Sequence, residues 1–454
     1  MPASDPLPIA PALPIAPAHR ARGAGFAARL LASDVLRRVM RERRTLDEAF
    51  AIALPAVRQD RLPEADQALA RAIVTIAFRR MGTIRAAIAA RLHHGALPEA
   101  GLLETALIIG ATQLLFMDVP DHAAVDLAVA LTKSDPLAKH YAPLANAILR
   151  KIAAEKAEIL SAALEATADT PPWMKARWAR AYGAETAEAI ARIHASPPSI
   201  DLTAMGDIAA LHAAIGGTLL PTGSLRLATD APIASLPGYA EGLFQVQDIA
   251  SALPARLMGA KPGQRVLDLC AAPGGKTAQL AKTGACVVAV ERSAQRAERL
   301  TINLARLQLD AELIIGDAAT YSGTGFDAVL LDAPCSATGT IRRHPEIAWT
   351  KTLADILTLA VQQEKLLLNA ARCVKIGGML VYATCSLEQE EGERQIDRFL
   401  SANAGFKLLP INTDELGIAA ESLTEDGMLR VLPAHFADFG GADGFFAARM
   451  QRLS

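Results

Sequence analysis

Residues 266–281 read Val-Leu-Asp-Leu-Cys-Ala-Ala-Pro-Gly-Gly-Lys-Thr-Ala-Gln-Leu-Ala. A short apolar run ends near an acid, passes through small residues and a glycine pair, and leaves in a helical pattern. The same grammar repeats downstream. Apolar runs at Arg265–Leu269, Ala285–Val290, Glu312–Ile315, Ala328–Leu331 and Met379–Ala383 alternate with helical stretches at Lys276–Lys282, Ser293–Leu307, Lys351–Val374 and Gln389–Asn403. Short strands without polar alternation are buried on both faces, so the pattern predicts a doubly wound α/β domain on a parallel sheet. Such sheets bind ligands at the carboxyl ends of their strands, which makes the residues just after each run the candidates.

The first turn, Cys270-Ala271-Ala272-Pro273-Gly274-Gly275-Lys276, allows close backbone approach to a ligand and presents a helix N-terminus. Its end, Gly-Gly-Lys-Thr, invites a phosphate-loop reading. That motif requires glycine at position 270, where the chain has cysteine, and no GxGxxG occurs. The second run is followed by Glu291, 23 residues after Asp268, where a carboxylate accepts the hydroxyls of a ribose. The third leads to Asp317, placed to accept from an adenine amine. Each acid alone reads equally as a turn or helix cap, whereas acids at successive strand ends form a ring of acceptors. A glycine-lined turn and a ribose acid without phosphate-binding glycines point to an adenosine cofactor lacking phosphate, and S-adenosyl-L-methionine fits.

The fourth run continues into Asp332-Ala333-Pro334-Cys335-Ser336 and the fifth into Thr384-Cys385-Ser386. Free cysteines are usually core residues, a reading that suits Cys270, Cys286 and Cys373. Two on adjacent loops at the binding edge suggest covalent chemistry. Carbon 5 of a pyrimidine is a weak nucleophile until a thiolate adds at carbon 6; the resulting enamine attacks a methyl sulfonium, a base removes the carbon 5 proton and the thiol departs. Asp332 is placed to orient the base, which must be flipped out of any helix.

The 454 residues are long enough for about three domains of ~150 residues. A composition of 51% hydrophobic and 21% charged residues excludes disordered and collagen-like classes. The longest apolar stretch, Thr105–Met117, suits a core helix rather than a membrane span. With neither a CxxC pair nor a Cys/His cluster, no disulfide framework or metal site is expected. Six prolines in the first 19 residues, with no lysine or arginine before Arg20, predict a disordered Pro/Ala-rich tail over 1–24 of a cytoplasmic protein rather than a signal peptide.

Residues 25–165 have helical periodicity, with Phe26, Leu30, Leu31, Val35, Leu36 and Val39 on one face and Arg37, Arg38, Arg41, Arg43 and Arg44 crowding the other side and the end. An all-α domain is expected there, a small α/β connector over 166–238, and the α/β domain over 239–454. The net charge of −2 hides an asymmetry: residues 20–92 hold 15 basic against 7 acidic side chains. Such a module serves phosphate contact or forms solvated helix faces, and charge alone leaves both open.

The stretches VLDLCAAPGGKTAQLA (266–281), DAPCSATGTIRRHPEIAW (332–349), YATCSLEQEE (382–391) and DGFFAARM (443–450) resemble the Sun family of RNA 5-methylcytosine methyltransferases, in particular its RsmB-like branch acting on 16S ribosomal RNA. The resemblance implies a Rossmann-like domain dependent on S-adenosyl-L-methionine. It also implies Cys385 as nucleophile and Cys335 as the residue assisting product release, and the presence of Cys385 decides for RNA because DNA cytosine methyltransferases use the Pro-Cys cysteine as nucleophile and lack the second one. ARLLASDVLRRVM, DHAAVDLAVAL and LANAILRKI resemble a NusB-type RNA-binding domain, which makes the five arginines candidate RNA contacts. The family's Leu-Arg-Val-Asn motif is replaced by Ile200-Asp201-Leu202-Thr203, and Glu291 stands where Asp is common. The implied partner is RNA, foremost 16S ribosomal RNA, with tRNA or 23S ribosomal RNA as the alternative; neither DNA nor membrane is expected, and the protein is expected to be a monomer. A reading from another class is a non-catalytic RNA-binding assembly factor.

Overall fold

A computed structural model describes residues 25–57, 62–92, 96–166, 168–228 and 231–454; the expected tail at 1–24 lies outside them. Two compact units meet in sequence at Asp169 and Thr170. Among the described residues no helix is long and apolar enough to cross a membrane.

The first unit is all helical: α1 (Phe26–Glu42), α2 (Leu46–Val57), α3 (Glu64–Arg79), α4 (Met81–Ala89), α5 (Leu103–Phe116), α6 (Asp121–Ser134), α7 (Ala142–Ala154) and α8 (Lys156–Ala166). The apolar α5 is the central helix, buried over nearly its whole length. Amphipathic α1 packs Leu31, Val35, Leu36 and Val39 inward. The periodicity over 64–91 reads as one helix, but the structure divides it at Arg80. Gly82 passes so close to the Ala168 carbonyl that a Cβ would lie 1.7 Å from its oxygen, and the Asp169 carboxylate accepts from the Thr83 amide at 2.9 Å. A long-range contact thus caps a second helix start that local spacing does not reveal.

The second unit opens with α9 (Pro172–Tyr182) and α10 (Ala184–His194). A small antiparallel sheet follows, from β1 (Ile200–Ala204), α11 (Ile208–Ile215), β2 (Thr218–Leu219), β3 (Leu225–Leu227) and β4 (Phe244–Val246), in the order β2-β3-β1-β4. The main sheet uses β5 (Arg265–Leu269), β6 (Cys286–Glu291), β7 (Glu312–Ile315), β8 (Phe326–Asp332) and β9 (Val374–Thr384), with β10 (Phe406–Leu408), β11 (Leu429–Val431) and β12 (Phe445–Arg452). The helices are α12 (Leu253–Leu257), α13 (Gly275–Lys282), α14 (Ala294–Arg306), α15 (Ile347–Thr350), α16 (Leu353–Cys373) and α17 (Glu393–Ala402).

Strands β7-β6-β5-β8-β9 are parallel, and the chain's direction of progress across the sheet reverses between β5 and β8. Alternate strand residues feed two cores: Val266, Val287, Leu330 and Val381 on one face, Leu267, Val288, Leu331 and Tyr382 on the other. Burial on both faces explains the unbroken apolar runs. The sheet is mixed where the strand pattern suggests a purely parallel one. β12 pairs antiparallel with β9, Phe446 opposite Thr384, and β10 and β11 pair antiparallel with β12. Periodicity reports that Phe445–Ala448 is buried but carries no information on strand direction.

Candidate active site

The reversal between β5 and β8 creates a crevice at the carboxyl ends of those strands. Its floor is the turn after β5. Cys270 adopts φ +63° and Gly274 φ +99°. The first is a left-handed conformation that costs a side-chain-bearing residue about 1–2 kcal/mol, so the turn keeps the backbone shape a glycine would give. At Gly274 a Cβ would stand 2.8 Å from Leu300 Cγ, which demands glycine. The Thr277 hydroxyl donates to Asp268 Oδ2 at 2.6 Å. Asp268 Oδ1 has no hydrogen-bond partner among the described residues. Burial pushes the Asp268 carboxyl up to about 7 and the Cys270 thiol up to about 12. Across the crevice Lys276 Nζ donates to Asp332 Oδ2 at 2.7 Å, joining the β5 turn to the end of β8.

Glu291 closes β6 as a buried carboxylate, accepting from the Ala272 amide at 3.3 Å and the Ser293 amide at 2.9 Å, with Arg296 at 3.3 Å. Asp317 is exposed after β7. Its Oδ1 accepts from the Ala319 amide at 2.9 Å, and the Gly316 amide donates to the Glu291 carbonyl, drawing the β6 and β7 ends together. The structure therefore assembles Cys270 to Lys276, Glu291, Asp317 and Asp332 along one edge, while Asp317 and Glu291 also perform the capping that such acids do in any turn. Lys276 and Arg296 are already paired to Asp332 and Glu291. This donor set, carboxylates and backbone with its cations spoken for, suits a ligand bearing hydroxyls, amines and positive charge rather than phosphates.

Beside it the loops after β8 and β9 bring the Cys335 and Cys385 sulfurs to 3.5 Å. The Ala333 amide bonds the Ala383 carbonyl at 2.9 Å and the Gly339 amide the Cys385 carbonyl at 3.0 Å, so backbone fixes one loop to the other. The hydrogen bond with Cys385, burial and the nearby Glu391 charge raise the Cys335 thiol well above its ordinary value. The carboxylate of Glu391 is fully buried beneath both loops. It accepts from the Ser336 amide at 2.9 Å, the Ser386 hydroxyl at 2.5 Å, the Ser336 hydroxyl, and Gln363 Nε2 at 3.0 Å.

In the sequence Glu391 lies in a Gln-Glu-Glu-Gly-Glu run that reads as a solvated helix start, and nothing local marks its burial. Two braces are equally unmarked, because their partners are distant in the chain. Helix α9 supports the stretch after Cys385: Trp178 Nε1 donates to Glu388 Oε1 at 3.1 Å, Arg177 Nε to Glu388 Oε2 at 2.7 Å, and the Tyr182 hydroxyl to the Leu387 carbonyl at 2.5 Å. The loop after Cys335 is anchored by buried Arg342, which pairs with Asp248 and with Asp443 Oδ1, the latter at 3.0 Å. In the small sheet, Asp201 forms a two-bond pair with Arg226 at 2.6 and 2.7 Å.

The five candidate RNA-contacting arginines lie on α1 and just beyond it, apart from these loops in sequence, and they differ among themselves. Arg38 is buried, with Nε 3.0 Å from Asp34, and Arg37 Nη2 lies 2.8 Å from the same carboxylate. Arg38 therefore faces inward rather than crowding an open side, because residue 38 falls within the buried stripe of α1, whereas Arg37 is half-buried beside the same acid. Arg41, Arg43 and Arg44 are exposed; Arg41 has long contacts to Glu99 and Glu104, and Arg44 pairs with Glu42 at 2.9 Å.

Comparison with known proteins adds a family context. Residues 255–451 match the family described as 16S rRNA methyltransferase RsmB/F, and residues 27–154 match the NusB family. The ribosomal RNA small subunit methyltransferase B of Pseudomonas putida is 38% identical over 374 residues, 78% of this chain and 83% of that protein. The protein of the same name from Xylella fastidiosa is 34% identical over 443 residues, 94% of this chain and 98% of that one. The crystal structure of PH0851 shares the fold, with a TM-score of 0.72 at 23% identity over 94% of this chain and 99% of that chain.

Proposed function

The chain belongs to the RsmB/F family of 16S rRNA methyltransferases and carries a NusB-family segment before its catalytic unit, and on that premise we propose that it methylates carbon 5 of a cytosine in 16S ribosomal RNA through a covalent bond to Cys385. The observation that carries this reading is the pair of sulfurs 3.5 Å apart at the carboxyl edge of the sheet, next to Asp332.

S-adenosyl-L-methionine supplies an electrophilic methyl group when bound, and the acid-rich crevice, with Lys276 and Arg296 already paired to carboxylates, fits it. Glu291 would hold its ribose, the 270–276 turn would line it, and Asp317 would hold its adenine. The chain's own residues perform the rest. Lys276 occupies Asp332 Oδ2 and leaves the other oxygen to accept from the exocyclic amine of a flipped cytosine, which orients the ring over the sulfurs. The resemblance of the Thr384-Cys385-Ser386 stretch makes Cys385 the sulfur that attacks carbon 6, and the hydrogen bond with Cys385 together with burial holds Cys335 toward its thiol form. Once carbon 5 carries the methyl group, a base takes its proton, the C5–C6 double bond re-forms and the bond from carbon 6 to sulfur breaks. Cys335, donating to the departing Cys385 sulfur, stabilises the thiolate that leaves. The helical unit contributes phosphate contacts through Arg41, Arg43 and Arg44, and the protein acts as a cytoplasmic monomer.

The test is incubation of the purified chain with methyl-labelled S-adenosyl-L-methionine and 16S ribosomal RNA, followed by nucleoside analysis. Label in 5-methylcytidine is the expected outcome. Label in another nucleoside overturns the cytosine assignment, and label in tRNA or 23S ribosomal RNA alone overturns the substrate. No label in any RNA returns the chain to a binding or assembly role.

A further inference from the structure

Glu391 is the buried ionisable group beside the sulfurs to which the chemistry above gives no task. All four groups donating to its carboxylate are neutral. Removing a carboxylate from water without a cation against it is costly, so a side chain serving only to fill space would be better apolar.

The geometry of its partners identifies what the charge achieves. Ser336 follows Cys335 and Ser386 follows Cys385. Both hydroxyls converge on Oε2 and lie 3.1 Å from each other, while the Ser336 amide and Gln363 of α16 share Oε1. Gln363 also donates to the Pro334 carbonyl at 3.0 Å, immediately before Cys335. The Glu391 carbonyl accepts from the Tyr382 hydroxyl at 2.9 Å and from Thr384 Oγ1 at 3.2 Å, immediately before Cys385. Glu391 thus grips the Cys385 loop on both sides of its sulfur, and the Cys335 loop directly after its sulfur and through Gln363 before it. Only an ionised carboxylate accepts from four donors at once; a glutamine there must turn an NH2 toward at least one of them.

We propose that Glu391 is a positioning residue that clamps the Cys335 and Cys385 loops at the sulfur spacing needed for adduct release. This rests on reading the two cysteines as the reacting pair. The Glu391 charge also favours the protonated form of Cys335, consistent with keeping that thiol a donor.

The test uses the full chain and two independent readouts on Glu391→Gln. The first is methyl transfer to 16S ribosomal RNA with kcat and KM separated. The second is the rate at which the oxidant diamide joins Cys335 and Cys385, each sulfur losing a proton and together two electrons as the diazene is reduced to the hydrazine; this reports sulfur spacing whatever reaction the protein catalyses. Misplacement by about 1 Å costs roughly 100-fold in rate, so kcat is expected to fall about that far, with KM for RNA unchanged and the cross-linking rate falling in parallel. Glu391→Asp is expected to recover part of both. Should Glu391→Gln fail to fold, Ser336→Ala and Ser386→Ala each remove one donor and are expected to slow both readouts partially. Wild-type kcat and cross-linking in all these variants overturn the clamp. Fast cross-linking of the wild type, slow cross-linking of Glu391→Gln and no methyl transfer by either leave the clamp standing and remove the functional reading.

Discussion

The sulfurs of Cys335 and Cys385 lie 3.5 Å apart across fifty residues of chain, held by backbone bonds between the loops that carry them and by the shared carboxylate of Glu391. The hydrogen bond with Cys385 and burial push Cys335 toward its thiol form, which agrees with the proposed roles of Cys385 as nucleophile and Cys335 as the donor that assists release. Cys385→Ala is expected to reduce methyl transfer to background with no covalent complex. Cys335→Ala is expected to retain attack and accumulate RNA-linked protein, visible as a slow band under denaturing conditions. Exchanged phenotypes would reverse the assignment.

Asp268 gives a pH dependence with a definite sign. Its carboxyl is raised from 3.8 to about 7 by burial, so the folded state holds a proton that the unfolded chain has released. The associated stability is fully present below about pH 4 and is lost as pH rises through 7. Asp268→Asn keeps an acceptor for Thr277 without the charge. Its Tm relative to wild type should therefore rise as pH goes from 4 to 8, and a pH-independent difference would contradict the shift.

Arg342 lies between two buried carboxylates, Asp248 and Asp443. Arg342→Ala leaves both without that cation, and removing one partner of a buried pair costs about 3–5 kcal/mol. Denaturant titration should show a loss of that size, and a loss below about 1 kcal/mol would mean the network relaxes or admits water.

For the helical unit the structure narrows the five arginines to the three exposed ones. The acid contacts of Arg41 and Arg44 are surface pairs worth at most about 1 kcal/mol, weak enough to yield to phosphate. Replacing Arg41, Arg43 and Arg44 together by Gln should weaken RNA binding and lower the slope of log affinity against log salt by about 2. An unchanged slope would make them a solvated face.

Much of this was legible in the sequence for a physical reason. Strands buried on both faces leave unbroken apolar runs, and Arg265–Leu269 and Glu312–Ile315 appear in the structure with the same bounds. The residues after those runs converge because doubly wound topology places strand ends along one edge. What stayed hidden depends on partners distant in sequence. The helix break at Arg80 is made by Ala168 and Asp169, and the burial of Arg38 by its place on the inward stripe of α1. The antiparallel β12 reflects chain direction, which periodicity does not encode. Glu391 was invisible because an acid in an acid-rich run looks solvated until the four donors around it are seen.

The central claim is that Cys385 bonds to carbon 6 of a cytosine. A 5-fluorocytidine-substituted 16S ribosomal RNA carries no removable proton at carbon 5, so the methylated adduct on the wild-type protein cannot resolve. After nuclease and protease digestion, mass spectrometry should find the methylated fluorocytidine on the peptide containing Cys385. An adduct on Cys335, or none on either cysteine, would contradict the account.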